Sequence, residues 1–297
     1  MTSSTNGANS SATPPPEPPM DDSMMPGATR QLPPIEPYAS KPGKHIIFGV
    51  NSDIGVVRTN NQDAIYAMYS VNLSVDSAPD FGLFVVADGM GGHHDGEKAS
   101  ALTTRIIAKY INEEFFLKLL YSQDDDSPII SEVLNDAVLK ANQMVGEKVP
   151  EGGTTCTAAI ILGDLAYIAH VGDSRAYLIS VDGIEQITRD HSLVQRLIEL
   201  DQLTQEEAAN HPQRNVLYRA LGQNESIDVD TITRRLPPGA YLMLCSDGLW
   251  NHLSEAQIIQ LVRAAKSPQE ACDSLVAKAN ERGGLDNISV IVVQIPG

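Results

Sequence analysis

The chain of 297 residues predicts an α+β fold of antiparallel sheets with helices packed outside them. Three features carry that prediction. Strand-like apolar runs follow one another closely, helix-like periodic stretches come in consecutive pairs, and Gly-Asp or Asp-Gly pairs stand where neighbouring strands would turn. A parallel sheet would instead set a helix between successive strands.

The elements run in this order. "HIIFGV" (45–50) and "FGLFVVAD" (81–88) read as strands. "GEKASALTTRIIAKYINEEFFLKLL" (96–120) has Leu102, Ile106 and Tyr110 on one face and reads as a long helix. "SPIISEVLNDAVLKANQMV" (127–145) reads as a second, with Ser127 as N-cap and Pro128 at its first position. Strand signals then crowd together over 154–162, 165–172, 175–180 and 184–188. The pairs Gly163-Asp164 and Asp182-Gly183 suit tight hairpins between them. A polar, helix-prone insertion runs from Arg189 to about Asp230. "AYLMLCSD" (240–247) is a buried strand, helices are expected near 254–264 and 267–281, and "ISVIVVQI" (288–295) closes the domain.

Residues 1–43 have a different composition, with ten of the 18 prolines, many Ser and Thr, and only isolated apolar residues. Such a tail cannot bury enough surface to offset its ordering entropy, so it is expected to be disordered, leaving residues 44–297 as the folded domain. The whole chain carries 21 Lys+Arg against 38 Asp+Glu, a net −17, and most of that acidity belongs to the domain. This balance argues against nucleic acid as a partner, since phosphate backbones are bound through clustered Lys and Arg. No apolar run approaches the ~20 residues of a membrane helix, and "MTSSTNGANS" lacks the basic and apolar regions of a secretory signal. Cys156, Cys245 and Cys272 are widely spaced and read as buried free thiols. A cytoplasmic protein without membrane association is expected.

Four aspartates share one context. Asp88 closes an apolar strand and precedes Gly89; Asp247 does the same before Gly248; Asp286 opens the last strand through Asn287; Asp63 lies in "VRTNNQDA". Carboxylates fixed at strand ends would repel one another, and burial would penalise their charge. A hard divalent cation relieves both, and glycine turns let a backbone carbonyl approach it. Other readings are weaker. His93, His94 and Asp95 could be taken for zinc ligands, but adjacent side chains diverge and no second histidine lies at helical spacing, so capping of the following helix is the better reading. The glycines after Asp88 do not complete GxGxxG, and there is no GxxxxGK[ST]. "HVGDSRAY" lacks a GxSxG elbow and reads as a hairpin corner with Asp173 and Arg175 structural. Asp190 or Ser192 reads as a helix cap, and Trp250 as packed on the sheet.

Eight segments occur in order: "RTNNQDA", "VVADGMGGHHDGEKAS", "GGTTCTAAII", "AHVGDSRAYLI", "ITRDHSLVQRLIELDQLTQEEAANHP", "NVLYRALG", "LCSDGLWN" and "GLDNISVIVV". Together they closely resemble the metal-dependent type 2C serine/threonine protein phosphatases in their bacterial form, over roughly residues 46–295. The resemblance implies a four-layer αββα sandwich, two antiparallel sheets flanked by helices, with a metal centre in the cleft and a flap at about 189–230. It implies that Asp88 bridges two Mn²⁺ or Mg²⁺ ions, that Gly89 lends its carbonyl to one, and that Asp247 and Asp286 bind the other. Asp63 would orient metal-bound water, Arg58 would bind the substrate phosphate, and Gln62 and Asn287 would support the ligands. The implied reaction is hydrolysis of phosphoserine and phosphothreonine on proteins by a metal-bridging water or hydroxide, without a phosphoenzyme. The implied partners are phosphoproteins, above all a Ser/Thr kinase and its substrates.

Three positions depart from the pattern. Met90 stands where many relatives carry a histidine able to protonate the leaving group. Gln62 replaces a frequent acid. A third metal, found in bacterial relatives, has Glu151 as its candidate ligand here with Asp247 as partner. Two rival functions are weaker. A catalytically dead binding module would be expected to have lost some of Arg58, Asp63, Asp88, Asp247 and Asp286, and all five are present. A phosphatase of partner-switching regulators shares the fold, but the insertion sequence favours the kinase-opposing group.

Overall fold

The computed structural model describes residues 45–71, 80–91, 95–121 and 128–297. The expected disorder of residues 1–43, the His93-His94 pair and the Ser127 cap lie outside them. β1 (Ile47–Asp53), β2 (Asp63–Ser70) and β3 (Phe81–Gly91) come first. α1 (Asp95–Ile111), a π-helical turn (Asn112–Phe116), α2 (Leu117–Tyr121) and α3 (Ile130–Lys148) follow. Next are β4 (Gly152–Thr154), β5 (Cys156–Leu162), β6 (Leu165–Val171), β7 (Arg175–Ser180) and β8 (Gly183–Gln186). α4 (Leu193–Glu199) and α5 (Gln205–Ala209) occupy the insertion, before β9 (Asp230–Arg235) and β10 (Tyr241–Cys245). α6 (Asp247–Trp250), α7 (Glu255–Ala264), α8 (Pro268–Glu281) and β11 (Ile288–Gln294) complete the chain.

All strand pairings among the described residues are antiparallel. One sheet has the order β1-β11-β10-β7-β8; the other has β2-β3-β5-β6-β9, with β4 also on β3. Alternation along the strands builds the layers, because successive side chains point to opposite faces. On β3, Phe84 and Val86 enter the core between the sheets, whereas Leu83 and Val85 pack under α1 and α3 with Ile107, Ile111 and Leu134. On β10, Leu242 and Leu244 face the other sheet, while Met243 and Cys245 pack under α7 and α8 with Ile258, Cys272 and Leu275. Both faces of the inner strands are therefore buried, which is why they read as unbroken apolar runs. Each buried Leu or Ile contributes roughly 1.5–3 kcal/mol. The result is the four-layer αββα sandwich.

Edges account for most differences from the sequence expectation. β2 was not anticipated, and all its residues are half-buried. It lies at a sheet edge, where Ile65, Ala67 and Tyr69 face the inter-sheet core and Tyr66 and Met68 the helices. β9 is likewise an edge strand concealed at the end of the polar insertion. At β1, the Gln269 amide occupies the edge, accepting from the Val50 N–H at 3.1 Å and donating to its carbonyl at 2.9 Å. Pro128 is not the first residue of α3. Ile129 is extended and its carbonyl receives the N–H groups of Glu132 and Val133, so the helix begins at Ile130. Ser192 caps α4 as expected, accepting from Gln195 N–H. Among the described residues no helix is long and apolar enough to cross a membrane.

Candidate metal centre

Both sheets deliver acids to one end of the sandwich. Asp63 begins β2 and stands directly opposite Asp88 of β3. Asp247 follows β10 at the start of α6, and Asp286 precedes β11. Ser246 links the two sheets: its hydroxyl donates to Asp63 Oδ2 at 2.7 Å and accepts the N–H of Ser289 at 2.9 Å. Asp88 is fixed through its backbone, whose N–H donates to Thr155 Oγ1 and whose carbonyl accepts from Thr154 Oγ1 and Thr155 N–H.

The acids act on one another. Burial, with the charges of Asp63, Asp247, Asp173 and Asp286, drives the Asp88 carboxyl well above the usual carboxylate range. Burial followed by Asp173 and Asp286 does the same to Asp247. Asp63 is pushed up to about 6, chiefly by burial. These are the penalties of gathering carboxylates without a counter-charge. Asp63 Oδ1 and Asp247 Oδ1 are shut off from solvent and have no hydrogen-bond partner, although buried polar atoms are almost always paired. Among the described residues no three acidic, His or Cys side chains already stand at metal-binding distance of one another.

The donor set fits a hard divalent cation. It consists of carboxylate and carbonyl oxygens, with no thiol or imidazole in the group. Gly89 adds a cradle: a Cβ there would lie 2.1 Å from the carbonyl oxygen of Gly96 and 2.6 Å from that of Gln62. Gly89→Ala is accordingly expected to lose about 3 kcal/mol or more of stability in urea unfolding, because backbone atoms cannot yield as a side chain would.

Arg58 is positioned indirectly. The Asn287 side chain donates to the carbonyls of Ile54 and Asn60 and accepts the N–H of Gln62, pinning both ends of the loop that carries Arg58. From that loop Arg58 Nη2 reaches Asp286 Oδ2 at 2.6 Å, and this contact raises its pKa. The carbonyl of Gln62 receives the N–H of Gly89 and the hydroxyl of Ser100, so Gln62 braces β3 against α1.

Glu151 is exposed on the turn before β4. The acid that does join the cluster is one the sequence reading made structural: Asp173, buried, with its carboxyl pushed up to about 7 by desolvation and by Asp190. Its "GDSR" setting reads as a hairpin corner, and only the packing of two sheets brings it to Asp88 and Asp247. Arg175 beside it is structural as expected. Its guanidinium grips both oxygens of Asp190, donates to Tyr177 Oη and stacks 3.6 Å from the centre of the Trp250 ring. Trp250 does more than pack on the sheet, since its indole N–H donates to the Asp173 carbonyl at 3.0 Å.

A histidine pair ties the insertion to β6. His170 lies between Thr157 Oγ1 and the carbonyl of Arg189, with the His191 ring centre 4.9 Å away. Burial, then His191, holds His170 down at about 3 against an ordinary 6.5. A depressed base stabilises the fold above its unfolded value and loses that contribution as pH falls from about 6.5 toward 3. Between pH 6.5 and 5 the loss is about 2 kcal/mol. Urea unfolding at both pH values should show a drop in the wild type that exceeds that of His170→Gln by roughly this amount.

The chain matches the family model for protein phosphatase 2C over residues 56–279. It is 36% identical over 246 residues to the serine/threonine phosphatase stp of Listeria innocua, covering 82% of this chain and 93% of that one. The serine/threonine phosphatase PstP/Ppp of Mycobacterium tuberculosis superposes with a TM-score of 0.71 at 31% identity, over 85% of this chain and 99% of that chain. The catalytic domain of PstP in complex with two manganese ions gives 0.69 at 31% identity, with the same coverage.

Proposed function

Because the chain belongs to the protein phosphatase 2C family, and so is a protein serine/threonine phosphatase, we propose that it hydrolyses phosphoserine and phosphothreonine at the Asp63, Asp88, Asp247 and Asp286 cluster, by direct attack of water. One observation carries the reading. Carboxylates from both sheets converge with buried, unpartnered oxygens beside a guanidinium.

Asp88, the Gly89 carbonyl, Asp247 and Asp286 would hold two divalent cations, Mn²⁺ or Mg²⁺; the two manganese ions of the PstP complex support that number. When bound, such cations lower the pKa of water and neutralise phosphoryl charge. Asp63, held through Ser246, orients the attacking water. Arg58 offers a planar fork suited to two phosphate oxygens. Met90 has no proton to give, so the leaving oxygen is protonated from water. Ser246 is buried between Asp63 and the Ser289 N–H, and its part is to position the Asp63 carboxylate. A third cation beside Asp247 would be shared with Asp173 rather than with exposed Glu151. Cytoplasmic phosphoproteins, including a Ser/Thr kinase that this enzyme opposes, are the proposed substrates.

Acid-quenched turnover of a ³²P-phosphothreonine peptide in Mn²⁺ tests the reaction course. All label is expected as inorganic phosphate, with none on the protein. Label retained on the chain in proportion to enzyme would refute direct attack by water.

A further inference from the structure

A cavity of about 650 Å³ opens from the carboxylate cluster toward the insertion. Its lining includes half-buried Asp247 and Asp286, which place the cluster on the protein side, apolar Ile198 of α4 and Leu285, and exposed Arg214 and Arg282, which stand toward solvent. Its size is that of a site for a small molecule or a few side chains, more than one phosphate group needs.

The two rim arginines differ from the other cations nearby. Arg189 and Arg196 share Glu199, and Arg219 is held by Asp230. Arg175, on the same cavity, is locked on Asp190. Arg214 and Arg282 have no carboxylate partner among the described residues. Each makes a single contact at 3.2 Å to a backbone carbonyl, Arg214 to Ala209 and Arg282 to His252. Both are exposed. Arg105 and Arg263 elsewhere among the described residues also contact only carbonyls; what sets Arg214 and Arg282 apart is that one cavity, in a chain of net charge −17, brings the two together. They come from separate parts of the chain, Arg214 from the turn after α5 and Arg282 from the end of α8.

We propose that this cavity is a peptide-binding groove that selects substrates carrying Asp or Glu beside the phosphorylated residue, with Arg214 and Arg282 as the specificity-determining groups. The inference rests on the phosphatase reading above and adds its substrate class. With the phosphate at the inner end, neighbouring residues of an extended peptide lie along the rim. A guanidinium receives a carboxylate through paired N–H donors. The apolar walls take the stems of those side chains.

The test uses three phosphothreonine peptides that differ only in flanking residues, Glu, Gln or Lys, assayed on the full chain in Mn²⁺. For the wild type, kcat/KM should fall in the order Glu, Gln, Lys, with Glu over Gln by about fivefold, as two exposed ion pairs would give. High salt should flatten the order. Arg214→Glu combined with Arg282→Glu should invert it, Lys first, and the corresponding pair of Lys substitutions should keep it. A purely structural role would lower all three rates together without inverting their order. Equal rates for the three peptides, a wild-type preference for Lys, or an order that survives charge reversal would overturn the inference. Wild-type protein that hydrolyses neither the peptides nor p-nitrophenyl phosphate would contradict the parent reading. Turnover of all of them without order would contradict only the groove.

Discussion

Asp88→Asn is expected to lower turnover of a phosphothreonine peptide by about 10³-fold or more while leaving the fold intact. Asp88 stands opposite Asp63, borders Asp247 electrostatically and is fixed in place through Thr154 and Thr155. Asparagine preserves the shape and removes the charge that would hold a cation. The same change should stabilise the metal-free protein. Desolvation and four neighbouring acids already push the Asp88 carboxyl far up, so an uncharged residue relieves repulsion, by about 1–2 kcal/mol on the scale of other sites where function costs stability. Thermal unfolding in EDTA should therefore show Asp88→Asn melting above the wild type, and adding Mn²⁺ should raise the wild type but not the variant. A variant less stable in EDTA would mean that Asp88 is a structural residue.

Arg58→Ala should reduce kcat/KM on phosphate esters by about 10²-fold, the scale of losing one preorganised donor to a reacting oxyanion. The guanidinium is half-exposed and reaches the cluster through Asp286. The loop that carries it is held at both ends by Asn287, so truncating the side chain leaves the backbone in place. Arg58→Lys should recover only part of the loss, because an ammonium lacks the planar fork. If Arg58 served only to neutralise Asp286, the lysine variant would be near wild type and inhibition by inorganic phosphate would be unchanged in both. With Arg58 on the substrate phosphate, inhibition by inorganic phosphate weakens in both.

Much of this was legible in the sequence, and where it was not the reason is physical. The run from Leu83 to Asp88 announces a central strand because both faces are buried, and its terminal aspartate stands out against it. The pattern of Asp88, Asp247 and Asp286 at strand ends marks the cluster before any packing is known. β2 escaped because an edge strand is only half-buried and its alternation is diluted by Ala67 and Met68. Asp173 escaped for another reason. Nothing local distinguishes it from a hairpin corner, and its coupling to Asp88 and Asp247 arises only when the two sheets pack. Glu151 drew attention through its nearness to the Gly-Thr-Thr segment, yet it remains exposed on its turn. Arg214 and Arg282 are ordinary surface arginines in sequence; they border one cavity because the insertion folds beside the end of α8.

The central claim is that the strand-end aspartates hold the cations on which dephosphorylation depends. Phosphate release from a phosphothreonine peptide by metal-stripped protein, followed as Mn²⁺ is added, tests it most directly. No release is expected at first, then a saturating rise with Mn²⁺ for the wild type and a flat line for Asp88→Asn. Release in EDTA equal to that in Mn²⁺, or an Asp88→Asn curve that rises like the wild type, would contradict it.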